Sequence, residues 1–157
     1  MTYRAFLGNL FEADYYDLIK QGLDWIKFGE LISKDARIFI KPNLTFPTYR
    51  PGVMTNPHAV EATILAIREY TPYIIIGDAD SGGYNRFSMD DVYRKTGLWG
   101  FAEKYNVRVV NLSKLEWKTL TFWYRNRQFS VDLPRLLTDE IDLLVTIPVY
   151  RKYMLIQ

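Results

Sequence analysis

The chain has 157 residues, 48% hydrophobic and 24% charged, which is the balance of an ordinary globular domain with enough apolar material for one core. Its 20 Lys and Arg against 18 Asp and Glu leave a net charge of +2, too little to make nucleic acid or an acidic membrane an obligatory partner. No cysteine is present, so the chain supplies neither disulfides nor thiolates for a zinc ribbon or an iron–sulfur cluster.

The opening MTYRAFLGNLFEADYY lacks a basic start followed by a long apolar stretch, and no run approaches the roughly 18 apolar residues of a membrane span. A cytoplasmic protein without a membrane partner is the expectation. Residues 3 to 7 read as a first strand, and Asp14 as the cap of a helix carrying Leu18, Gly22 and Trp25 on one face. ARIFI at 36–40 reads as a short buried strand, because a continuous apolar run between charges fits a sheet better than a helix.

Asn56 then caps a helix with Pro57 in its first position, and Val60, Ile64 and Ile67 form its apolar stripe. Thr71-Pro72 ends that helix and YIIIG at 73–77 begins another buried strand. Ser88 caps a short helix ended by Gly97, and a second stripe of Leu98, Phe101, Ala102 and Tyr105 follows. VRVVNL at 107–112 is a third strand. LTFWYRNRQFSVDL alternates in the strand period on both sides of Arg125-Asn126-Arg127, the pattern of an antiparallel hairpin. A helical turn in LPRLLTDE and a last buried strand in IDLLVTIP complete the series, and no internal repeat or linker divides residues 1–157 into two domains.

Strands alternating with helices predict an α/β fold: a mainly parallel sheet with helices on both faces, plus an antiparallel β-hairpin. In such sheets ligands gather at the carboxyl ends of the strands. Three polar segments follow strand ends here: KPN at 41–43, GDADSGG at 77–83 and PVYRK at 148–152.

Each segment has a chemical reading and a bland one. Lys41 and Asn43 offer a cation and an amide to phosphate or carboxylate oxygens, or Asn43 merely closes a turn behind Pro42. Asp78 and Asp80 suit a hard divalent cation such as magnesium, or cap a turn and a helix. Ser81, Gly82 and Gly83 can bring backbone N–H groups to an anion, or simply turn tightly; neither a dinucleotide fingerprint nor a P-loop lysine is present. Arg151 closes the same edge over a small anionic ligand, or is a solvated terminal charge. His58, the one histidine, has no triad partner at a recognisable spacing and reads as a neutral surface residue.

These segments together resemble Domain of Unknown Function family 362: KPNL at 41–44 after the first apolar strand, TNPHAV at 55–60, GDADSGG, and LLTDEIDLLVTIPV at 137–149. The resemblance implies the α/β fold and, because family members are sometimes fused to ferredoxin modules, a redox association. It also implies an N-terminal portion, since the family continues beyond a Lys-His that is Arg151, Lys152 and Tyr153 here. A missing C-terminal portion or a second subunit is then a partner. Two functions stay open: a small-anion or metal-dependent ligand site at the sheet's carboxyl edge, and a non-catalytic assembly domain that binds a second chain or itself through the aromatic hairpin.

Overall fold

A computed structural model describes residues 5–80 and 86–149. Its centre is a four-stranded parallel sheet of β1 (Ile38–Pro42), β2 (Ile74–Asp78), β3 (Arg108–Asn111) and β6 (Leu143–Ile147), in the spatial order β3-β2-β1-β6. A two-stranded antiparallel hairpin, β4 (Trp117–Tyr124) and β5 (Arg127–Pro134), stands apart from it. The fold is therefore α/β with a grafted hairpin, as the alternation of strand and helix patterns predicts.

Side-chain alternation divides the core by sheet face. Ile38, Ile40, Ile74, Ile76 and Val109 meet the helix residues Val60, Ile64, Ile67, Met89, Val92 and Tyr93 on one face. Phe39, Ile75 and Val110 meet Leu112 and Leu136 on the other. The first face is covered by α3 (Pro57–Arg68), α4 (Met89–Thr96) and α5 (Trp99–Lys104). The second is covered by shorter pieces, a 3₁₀ turn at Leu112–Lys114 and a π-helical turn at Leu136–Glu140.

The local signals act as their chemistry dictates. Asn56 Oδ1 accepts the His58 N–H at 2.9 Å with Pro57 beside it in the first turn of α3. Ser88 caps α4, and Gly97 at φ 79° turns the chain out of it, in a left-handed region where a side chain would be strained. Arg125 and Asn126, both at positive φ, make the two-residue turn of the hairpin, whose twist suits antiparallel strands. Asp14 caps α1 (Tyr15–Trp25), which packs outside α3 and contributes no fully buried residue. A four-residue helix, α2 (Phe28–Leu31), follows and inserts Phe28 into the core.

One expectation fails at the start of the chain. Residues 5 to 9 form no strand, and residues 3 and 4 lie outside the described ones. The reason is a lack of partners: Phe6 leans on Gly22 and on the Trp25 ring, 6.3 Å between centroids, while Leu7 stays in solvent. A strand needs a neighbour to take its backbone hydrogen bonds, and this segment lies against a helix.

Gly77 leaves no room for a side chain in the sheet. A Cβ there would fall well inside contact distance of the Val110 carbonyl oxygen and 3.2 Å from Phe39 Cζ. Gly77→Ala is expected to destabilise the fold by about 1–3 kcal/mol, the usual cost of overpacking, read as a lower urea midpoint with an unchanged slope.

Candidate functional site

The parallel register brings separated sequence segments to one rim. Pro42 pairs with Ile147 and Asp78 with Asn111, so the carboxyl ends of all four strands lie side by side. From β1 the chain moves through β2 to β3 along one direction, then returns past both to β6 on the other side of β1. The order therefore reverses between β1 and β6, and that reversal is where α/β sheets open a crevice. Lys41 pairs with Thr146 at this point.

Asp78 is the most constrained polar residue of the rim. It is 7% exposed, and its Oδ1 lies 2.8 Å from the Lys41 ammonium and 2.9 Å from the Ala79 N–H, which donates to it. Its Oδ2 accepts the Leu44 N–H at 3.0 Å. The backbone N–H of Asp78 donates to the Tyr93 hydroxyl at 2.6 Å, and that hydroxyl donates in turn to the Val110 carbonyl at 3.0 Å. Burial pushes the Tyr93 pKa well above the ordinary phenol value, so the hydroxyl keeps the proton it donates.

Asn43 and Thr55 build the neighbouring clasp. Thr55 Oγ1 accepts the Asn43 N–H at 2.8 Å and donates to the Ile147 carbonyl at 2.6 Å, which ties the exit of β1 to the end of β6. The Asn43 amide donates to the Val53 carbonyl at 2.8 Å and closes the loop before α3. Asn43 thus has the turn-closing contacts of its bland reading.

Asp80 faces another neighbourhood. Its Oδ1 accepts the Met89 N–H at 2.6 Å and the Asn111 amide at 3.1 Å, and its own N–H donates to Ser113 Oγ at 2.9 Å. Asn111 also reaches Asp90 Oδ1 at 3.4 Å, and Asp90 pairs with Lys114. The Lys114 ammonium, joined by the Asn111 amide, holds the Asp90 carboxyl below the ordinary carboxylate range, and Asp90 raises Lys114 in return. Asp78 and Asp80 are thus engaged by different partners. Among the described residues no three Asp, Glu or His side chains stand close enough to hold a metal by themselves.

Ser81, Gly82, Gly83 and Arg151 lie outside the described residues. His58 is exposed, with Glu61 as its acidic neighbour at 4.0 Å. Thr55, Tyr93, Asn111 and Ser113 are rim residues that sequence patterns do not single out, because each earns its place through a tertiary partner. Tyr93 carried the one available signal, a polar-tipped aromatic on the apolar face of a short helix. An apolar cleft of ≈ 20 Å³, lined by Leu44, Tyr49, Met54, Leu98 and Phe101, lies beside this rim and is too small for more than about one water.

With this geometry in view, the chain belongs to the family described as Domain of unknown function (DUF362), whose model matches residues 38–156. That span contains the whole parallel sheet, the rim and the hairpin. Comparisons with curated proteins and with solved structures gave no match. Among the described residues no helix is long and apolar enough to cross a membrane.

Asp78→Ala removes the acceptor of two N–H groups and strands Lys41. A loss of about 2–4 kcal/mol is expected, with a smaller one for Lys41→Met, because Lys41 is 39% exposed and its removal leaves both N–H bonds to Asp78 intact. Denaturant titration of the two variants checks this order.

Asp90 has a depressed folded pKa, so its stabilisation is present above the unfolded carboxylate value of about 3.9 and is lost as pH falls through the lower folded value. Asp90→Asn is expected to lower stability at neutral pH and to flatten the acid limb of stability against pH. Urea midpoints at neutral pH and below about pH 4 measure both effects.

Proposed function

We propose that this chain is a ligand-binding domain whose carboxyl rim takes the phosphate or carboxylate group of a small molecule on Lys41. Support for the reading comes first from one observation: an ammonium 2.8 Å from a buried carboxylate, 39% exposed, at the point where strand order reverses. An ammonium has three donors, and among the described residues Asp78 takes one of them. The remaining two are directed by a side chain whose position the Asp78 contact fixes, which lowers the ordering cost of binding.

Asp80 fits the second half of the reading. One of its oxygens is used by Met89 and Asn111, and the reading assigns the other to a divalent cation that arrives with the ligand. Magnesium is held in this way, by one or two carboxylates plus phosphate oxygens and water, more often than by a full protein cage. A phosphorylated ligand carrying its own magnesium therefore suits the rim better than a resident metal. The proposal is one of binding.

Thermal denaturation with pyrophosphate, ATP and citrate, each with and without magnesium, tests the proposal. At about 100 times Kd a true ligand raises the melting temperature by roughly 5–10 °C in a domain of this size. Lys41→Met should abolish the shift for every ligand, and Asp80→Asn only its magnesium-dependent part. A flat response across the panel, or an equal shift in Lys41→Met, overturns the reading.

A further inference from the structure

The hairpin is amphipathic and carries its apolar face in solvent. On one face the cross-strand pairs are Thr119 with Asp132, hydrogen-bonded at 2.6 Å, Thr121 with Ser130 at 3.1 Å, and Trp123 with Gln128. On the other they are Leu120 with Val131, Phe122 with Phe129, and Tyr124 with Arg127. The Phe122 and Phe129 rings stack at 5.8 Å, and both stay about half exposed. A two-stranded ribbon is marginal alone and needs this face covered. The hairpin holds Lys118, Arg125 and Arg127; its one acidic residue, Asp132, lies on the opposite face with Thr119, and Lys118 is paired with Asp139, so Arg125 and Arg127 carry the positive charge of the apolar face.

A second feature has the opposite sign. The turn before α1 places Leu7 at 91% and Phe11 at 100% exposure, with Leu10 half exposed beside them. This turn is built and not frayed: Asn9 Oδ1 accepts the Phe11 N–H at 3.1 Å, its amide donates to Glu12 at 2.9 Å, and its carbonyl accepts the Glu12 N–H at 3.0 Å. Phe6 against Gly22 and Gly8 against Leu18 pin it to α1, so Phe11 is held outward. Residues 5–19 hold Glu12, Asp14 and Asp17 and no basic residue.

We infer that the chain forms a two-fold dimer in which the basic, aromatic hairpin face of each copy covers the acidic-rimmed Leu7–Leu10–Phe11 turn of the other. Charge and apolar character match across the contact. Area selects the reciprocal arrangement. With about 150–250 Å² for a whole aromatic side chain, the exposed parts of the turn and of Phe122, Tyr124, Phe129 and Val131 come to roughly 800 Å² per contact. One contact falls short of the about 1,200 Å² of a stable interface, and two reach roughly 1,600 Å². A two-fold axis supplies both contacts from one surface pair.

Sedimentation velocity over a dilution series is the test. Wild type should show a monomer–dimer equilibrium that weakens as salt is raised. Phe11→Ser and Phe122→Ser should each be monomeric with unchanged circular dichroism, since both side chains are solvent-facing, whereas Trp123→Ser, on the opposite hairpin face, should still dimerise. The decisive arm is a charge swap. R125E/R127E and E12K/D17K should each be monomeric alone, and an equimolar mixture should restore a dimer, because both of its contacts again pair opposite charges.

A wild-type monomer up to its solubility limit overturns the inference, as does a dimer that survives both Phe11→Ser and Phe122→Ser. A monomer whose hairpin instead binds anionic vesicles or single-stranded RNA overturns it as well.

Discussion

The buried carboxylate of Asp78 is the constraint on which the rim depends. Placing a charge at 7% exposure costs several kcal/mol unless it is paired and hydrogen-bonded, and here two backbone N–H groups and an ammonium meet that cost. Each donor belongs to a different part of the chain's path: Lys41 to β1, Leu44 to the loop leaving it, Ala79 to the exit of β2. One side chain therefore fixes three backbone directions at once. Tyr93 extends the same logic to α4, because its hydroxyl sits between the Asp78 N–H and the Val110 carbonyl and spans the tops of β2 and β3.

Topology explains why strand order reverses at β1. Right-handed crossovers place α3 and then α4 and α5 on one face while the chain advances from β1 to β3. The return to β6 must then run under the opposite face, where the two short helical turns lie. Connections leaving β1 and entering β6 are on different sides of the sheet. Between them the strand ends are bridged by the Thr55 hydroxyl and edged by Lys41. The same return path accounts for the hairpin's exposure: it is an excursion from a crossover, attached at its base through the Arg135 N–H to Glu116 carbonyl bond and the Lys118 to Asp139 ion pair.

Elements whose identity rests on local chemistry were legible in the sequence. Asn56-Pro57, Ser88 and Gly97, and the alternation around Arg125-Asn126 specify their helices and turn through caps and backbone preferences that need no distant partner. The rim was legible at the level of strand ends, because periodicity and the parallel rule suffice to gather Lys41, Asn43 and Asp78. Their individual partners were not. Nothing in TNPHAV announces that Thr55 will bond across 92 positions to Ile147, and nothing near residue 93 marks its hydroxyl as the link between β2 and β3. The failed strand at residues 3 to 7 shows the same boundary from the other side. Tyr3 to Leu7 has strand-forming residues, yet strand structure is a property of a pair, and its described part has only α1 beside it.

The divergence of Asp78 and Asp80 follows from where β2 stops. Two residues separated by one neighbour share a face only while the chain stays extended, and β2 ends at Asp78. Ala79 turns the chain off the sheet, so Asp80 meets the start of α4 and the Asn111 amide, while Asp78 remains tied to β1. The two carboxylates consequently carry different electrostatic duties. Asp78 is neutralised by Lys41 and spends its oxygens on structure. Asp80 takes an amide and a backbone N–H as its partners among the described residues, and its charge acts on Lys114 rather than on Lys41.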